Sequence, residues 1–264
     1  MKYKVNYFTA FFLLLFHVGA VIALFSFELR LLIIAGTVWF SISCLGIGIG
    51  YHRLLTHRGF KTPRWFEYTL ALCGCLALQG PPLKWVTSHR RHHNTTEKPG
   101  KDPHTPRDGV LWAHVGWIIK PPAIMHSHAL MQKYSPDLFK STFYRLLNHY
   151  WMTPTALLTM MLWSIGGWQA ICWGICVPTV CCWHSTWLVN SAAHRWGYRR
   201  YPTHDDSRNN WWVALITHGE GWHNNHHHQP TSAKHGRKWF EFDVNWYVIR
   251  ILSVFRLTQG LKQR

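Results

Sequence analysis

Acid is scarce in this chain. Its 264 residues hold 11 Asp and Glu against 28 Lys and Arg, a formal net charge of +17 at pH 7. Carboxylate-built metal sites in helical bundles take a Glu from each of two helices and a Glu-x-x-His pair from each of two others. Only Glu220-Gly-Trp-His223 has that spacing, so a metal site here must be mostly nitrogen. The seven cysteines contain no C-x-x-C pair and lie in or beside apolar runs, so they read as small core residues rather than a disulfide framework. Repeats, low-complexity tracts and flexible linkers are also absent, which predicts a single domain over residues 1–264.

Charge is missing altogether from three stretches. Residues 5–27, 31–51 and 146–194 contain no Asp, Glu, Lys or Arg. A bilayer crossing needs about 20 apolar residues, so the first two stretches each suffice for one, and the third for two around Gly166-Gly167. The expected fold is therefore an all-α integral membrane protein with four transmembrane helices in two hairpins. The spans fall at about 6–27, 30–50, 150–166 and 168–190, and a helical cap is made of 51–149 and 191–264. The first run continues without a polar cleavage region and reads as a span, not a signal peptide. Residues 66–78 are apolar but short, and Gly80-Pro81-Pro82 closes them, which predicts an interfacial or buried helix. Two hairpins put both termini and the cap on one face; of the Lys and Arg, only Arg30 falls in a turn on the other. The positive-inside rule makes the cap face cytoplasmic. Basic residues among 17 tryptophans could also suit single-stranded nucleic acid, but four charge-free spans argue against a nucleic-acid partner.

What the chain has in abundance is histidine, 20 in all. Three clusters stand out: His52-x4-His57, His89-x2-His92-His93 and His223-x2-His226-His227. Imidazoles three to five residues apart can converge on one ion from a helix face or a turn at a helix end. These clusters offer more imidazoles than one ion needs, which points to two metals sharing a site. Imidazole suits Zn, Cu, Fe and Ni better than Mg or Ca; iron or copper would permit oxygen chemistry, zinc hydrolysis. A heme carrier would place its ligands within facing spans, where only His17 and His184 fall, and a metal transporter would place them near the bilayer midplane.

The segments His52-Arg-Leu-Leu-Thr-His57, His89-Arg-Arg-His92-His93 and Gly219-Glu-Gly-Trp-His223-Asn-Asn-His226-His227 form an ordered set with Trp187-Leu-Val-Asn190-Ser-Ala-Ala-His194. Together they resemble the membrane-bound fatty-acyl desaturases over about residues 31–251. The x4 and x2 spacings resemble the delta-9 branch, and the compact length resembles bacterial and cyanobacterial members. Alkyl or lipid hydroxylases, the rival within the same chemistry, more often carry other spacings.

That resemblance implies two non-heme irons, and an oxidant made from O2 and two external electrons that removes two hydrogens from adjacent methylenes. A metal is needed because an unactivated methylene offers no acidic proton to a side-chain base. It implies His52, His57, His89, His93 and His226 as ligands of one iron. His92, His194, His223 and His227 would hold the other, with Asn190 retaining a coordinated water. It implies Gln79, Trp85 and Thr186 at the bend of an acyl tunnel, and Phe40 and Cys44 at its closed end. The implied partners are a fatty-acyl group on CoA or a membrane glycerolipid, membrane lipid, and a separate donor such as ferredoxin or cytochrome b5 with its reductase. The implied setting is a bacterial inner or cyanobacterial membrane with a cytoplasmic active site. Glu220 and Asp102 are expected to orient ligand imidazoles, with a turn or helix cap as the equal alternative for Asp102-Pro103. His228 extends the third cluster. His104, His114, His126, His128, His149, His204, His218 and His235 read as surface groups or as partners of ligands.

Overall fold

The computed structural model describes residues 4–98, 100–121 and 127–263, and among these every extended element is a helix, with β-pairing limited to isolated bridges. Helix α1, Tyr7–Ala23, begins at Asn6, whose side chain accepts the Thr9 N–H at 3.0 Å in the usual capping manner. Helix α2 runs Leu29–Thr56, and its second part, Ser41–Thr56, is wound as a π-helix. Helix α3, Arg64–Leu76, realises the short apolar segment, and α4, Pro82–Thr95, opens with proline at its first turn, where no N–H is missed. Helix α5, Thr153–Ile171, is broken at Gly166 and Gly167; Gly167 has φ +58° and ψ −149°, a conformation that favours glycine. There the chain doubles back through Cys172–Cys176 into α6, Val177–Ser191, so that Leu162 packs on Gly174. Two further helices complete the framework of the site: α7, His223–His228, and α8, Val244–Val254.

Large apolar side chains stand exposed along α1 (Phe8, Phe11, Leu14, Leu15), the start of α2 (Leu29, Leu32, Ile33) and α5 (Leu157, Met160, Met161, Trp163). Water-soluble surfaces rarely carry so much apolar area. By length and composition, Leu29–Thr56 and Thr153–His194 could each cross a membrane, while α1 is shorter at 17 residues. These faces suit lipid, and the protein is a membrane protein.

The π-wound half of α2 is buried instead. Ile42, Ile47, Ile49, Leu54 and Leu55 pack with Leu70, Ala71 and Cys75 of α3 and with Trp246 and Ile249 of α8. Helices α2 and α3 touch through glycine: a Cβ on Gly46 would lie 2.6 Å from the Cys73 backbone, and one on Gly74 would lie 2.1 Å from the Tyr51 ring. Because α2 continues past the expected end of its span, His52 sits on a helix fixed in this core.

Candidate metal centre

Five imidazoles, from His52, His57, His89, His93 and His226, bring ring nitrogens within 4.8 Å of one another. Beside them His92, His194, His223 and His227 do the same. Helix geometry explains the partition. At about 100° per residue, i and i+4 stay about 40° apart while i+3 falls about 60° to the other side. On α4, His89 and His93 therefore join the first set and His92 the second; on α7, His223 and His227 join the second and His226 the first. These two clusters are each split across both sets, so neighbours in sequence tie the two together.

His52 and His57 need a different winding. Five residues of α-helix turn through about 500° and would leave the two rings about 140° apart. Here the His57 N–H donates to the His52 carbonyl at 3.1 Å, an i→i+5 bond, and the ring centroids lie 4.8 Å apart. A π-turn at a functional site is a recurring use of this rare geometry. His194 arrives from the 3-10 turn Ala192–His194 at the end of α6.

Carboxylates fix the outer edges of these rings. His92 Nδ1 donates to both oxygens of Asp102 at 3.1 Å, His194 Nδ1 to Glu97 Oε1 at 3.1 Å, and His227 Nδ1 to Asp205 Oδ2 at 2.7 Å. In the first set, His52 Nδ1 lies 2.6 Å from Glu220 Oε2. Glu220 is held in turn by Arg53, fully buried and donating at 3.0 Å, and by Asn245 at 2.6 Å. Carboxylates only accept, so these Nδ1 atoms carry the hydrogens and the Nε2 lone pairs face inward.

The inward nitrogens crowd together. Nε2 separations are 3.1 Å for His52 to His226, 3.0 Å for His226 to His93, 3.1 Å for His93 to His89 and 3.0 Å for His223 to His194. The buried Nε2 atoms of His57, His92 and His227 have no hydrogen-bond partner among the described residues. Lone pairs converging at about the edge length set by metal–nitrogen bonds of about 2.1 Å fit a cation, and nitrogen donors select a transition metal over Mg or Ca.

Electrostatics agree. Burial, aided by repulsion among the rings, lowers His57, His89, His93, His223 and His226 well below the usual imidazole range. Burial also brings His227 to about 4 despite the pull of Asp205. All are neutral and ready to ligate at neutral pH. Burial alone would raise the three carboxyls of Asp102, Asp205 and Glu220. His92 and His104 hold Asp102 well below the carboxylate range, His227 does so for Asp205, and Arg53 with His52 and His235 does so for Glu220.

A cavity of about 460 Å³ reaches both sets, within the range of ordinary ligand pockets. Phe12, Leu13, Ile47, Trp183 and Trp187 make it apolar, and His52, His89, His223 and Asn190 are also among its lining residues. Gln79, Trp85 and Thr186 line it as a connected trio: Trp85 Nε1 donates to Gln79 Oε1 at 3.2 Å and Gln79 Nε2 to Thr186 Oγ1 at 2.9 Å. The Trp85 ring stacks on His89 at 5.1 Å. Phe40 and Cys44 are not in the lining, which on α2 reaches Ser43; Cys44 is buried in the core and Phe40 stands edge-on to His218 at 5.7 Å.

Several other histidines have local roles. His104 stands 4.4 Å from His92 beside Asp102, and His235 lies 3.2 Å from Glu220. His228 stacks on Tyr201 at 3.9 Å, apart from both sets. His126 lies outside the described residues. Sequence spacing does not mark Glu97 or Asp205, which meet their histidines across 97 and 22 residues.

Comparison with known proteins accords with this geometry. The family model described as fatty acid desaturase matches residues 29–252. An sn-2 palmitoyl-lipid 9-desaturase of Nostoc sp. (strain 36) is 45% identical over 81% of this chain and 75% of that protein. An sn-1 stearoyl-lipid 9-desaturase of Anabaena variabilis is 40% identical over 99% of this chain and 95% of its own length. An icosanoyl-CoA 5-desaturase of Limnanthes douglasii is 43% identical over 84% of this chain and 62% of its own length. With every one of the nine clustered histidines inside the matched region, the chain belongs to the fatty acid desaturase family and is an oxidoreductase that desaturates fatty-acyl chains.

Proposed function

We propose that the chain introduces a cis double bond at the delta-9 position of a saturated acyl group on a membrane lipid, using O2 and two electrons from a separate donor of the ferredoxin or cytochrome b5 type. The observation that carries this reading is one apolar cavity touching two all-imidazole sets. The five-histidine and four-histidine sets would each hold one iron, and the irons would supply the O2-derived oxidising power that methylene C–H bonds require. The residues of the chain do the rest. Asp102, Glu97, Asp205 and Glu220 hold the imidazoles in one tautomer, and Asn190 retains a water beside the four-histidine set. The Gln79–Trp85–Thr186 trio bends the acyl chain so that two adjacent carbons face His89 and His223. Apolar walls exclude bulk water, which protects the oxidant from side reactions. Ser43 is the limit of the lining on α2, and Phe40 and Cys44, which stand outside the lining, would close the path behind it.

The membrane reading is four spans formed by α1, α2 and the two legs joined at Gly166-Gly167, with the cap, residues 51–149 and 191–264, and both termini cytoplasmic. The excess of Lys and Arg in the cap supports it. The Nostoc and Anabaena relatives are named for lipid-borne substrates and the Limnanthes relative for a CoA ester. Lipid analysis of cells expressing the chain, with His92→Ala as control, tests this reading. It reports double-bond position and carrier together. Hydroxylated product in place of unsaturated product would assign the same site to a hydroxylase.

A further inference from the structure

One group of half-buried polar side chains has no part in the site so far. His17 of α1, His184 of α6 and His114 of the turn Trp112–Gly116 form a hydrogen-bonded chain. His17 Nε2 lies 3.0 Å from His184 Nε2, His184 Nδ1 lies 3.0 Å from His114 Nε2, and His114 Nδ1 lies 3.1 Å from Ser191 Oγ. His17 Nδ1 donates to the Leu13 carbonyl at 2.7 Å, and that bond sets the polarity of the whole chain. His17 Nε2 must accept from His184, His184 Nδ1 from His114, and His114 Nδ1 from the Ser191 hydroxyl. Ser191 Oγ is also 2.9 Å from the Trp187 carbonyl, so its single proton serves two acceptors. In this arrangement all three rings are neutral and every ring nitrogen is partnered. An ionisable side chain within a span is a sign of function before it is a sign of packing.

None of the three histidines lines the cavity; they stand behind its wall. Trp183 and Trp187 do line it, with rings stacked at 5.9 Å. His17 is 6.2 Å from the Trp183 ring, His184 is 5.2 Å from Trp187, and His114 meets Trp187 edge-on at 5.6 Å. The chain also joins three elements that each supply wall: α1 through Phe12 and Leu13, α6 through the two tryptophans, and the segment after His114 through Trp117 and Ile118.

Resting on the reading of this cavity as the acyl site, we propose that His17, His184 and His114 are positioning residues that fix the Trp183–Trp187 wall and thereby set the register of the acyl chain beneath the histidine sets. The need is chemical. Saturated methylenes are alike, so the choice of one carbon–carbon bond depends on where the chain stops sliding. Apolar packing behind the indoles would resist displacement in no particular direction, whereas the hydrogen-bonded chain fixes α1, α6 and the His114 turn relative to one another, and its rings, packed against the indoles, limit where they can sit.

The test compares His184→Leu, which removes two links at similar bulk, with His184→Gln, which keeps a donor and an acceptor, and with His114→Phe at the other end. Product double-bond position, relative turnover of saturated chains of graded length, and iron per chain are measured together. One methylene is worth about tenfold or more in discrimination within a shaped apolar pocket. His184→Leu and His114→Phe should lose most of that factor and spread the double bond over neighbouring positions, with iron unchanged and His184→Gln closer to wild type. A single product position and an unchanged length preference in both apolar variants, whatever the overall turnover, overturns the proposal. If His184→Leu does not fold, His114→Phe decides. Hydroxylated wild-type product would count against the desaturase reading alone, since the position of the hydroxyl reports register equally well.

Discussion

Replacing Glu97 with Gln should weaken one metal and spare the other. The Glu97 side chain is buried and accepts from His194 Nδ1 at 3.1 Å and from the Asp206 N–H at 2.9 and 2.8 Å, while Arg107 pairs with it at 3.0 Å. Gln preserves shape and removes charge. The four-histidine set then keeps two of its three carboxylate anchors, and the five-histidine set, anchored through Glu220, loses none. Loss of such a partner typically costs about 10–100-fold in metal affinity, equivalent to about 1.4–2.8 kcal/mol. Iron-loaded protein is dialysed against graded chelator and its iron per chain is measured. Wild type and Glu97→Gln should share the step for one metal, while the other moves to about 10–100-fold weaker chelation. Arg107→Ala serves as control, because the Arg107 side chain is 54% exposed and does not touch His194. Parallel loss of both metals, or no loss, would refute the assignment of Glu97 to one set.

Three other outcomes are expected. Single cysteines placed at the Gly166-Gly167 turn and at the carboxyl terminus, in a background without native cysteines, should be labelled from opposite sides of the membrane; labelling from one side would remove the second hairpin. Ser43→Phe narrows the far end of the lining and should shift preference toward shorter saturated chains. Cys44→Trp should shift it the same way while overpacking the core by about 1–3 kcal/mol, and a competition assay showing equal loss at every length would return both positions to core packing. Metal-free protein should lose stability as pH falls from about 6.5. His57, His89, His93, His223 and His226 resist protonation when folded, and His227 and His235 do so down to about 4. Below 6.5 the unfolded chain therefore binds more protons, and each such ring contributes a slope of up to about 1.4 kcal/mol per pH unit until its folded value is reached. Thermal unfolding between pH 7 and 4 measures this, and a flat profile would contradict the neutral-imidazole assignment.

Much of the protein is decided by local spacing, and that part is legible in the chain itself. Charge-free runs have no other economical use than apolar helices, and the Gly166-Gly167 pair marks where the last of them reverses. An H-x-x-H-H box on a helix must divide its rings between two directions, because 3.6 residues per turn places i+3 and i+4 on opposite sides of i. The shortage of acid likewise forces a nitrogen-rich donor set. Local spacing could not decide the rest. The x4 gap of His52 and His57 misfits an α-helix, and only the π-winding of α2, held in the core by α3 and α8, brings those rings together. Glu97 and Asp205 carry no motif and reach His194 and His227 only because segments distant in sequence pack together. Arg53 sits inside the first box, yet its work is to fix Glu220, 167 residues away. The cavity, and the histidine chain behind its tryptophans, draw on helices far apart in sequence, so their geometry exists only once those helices have packed.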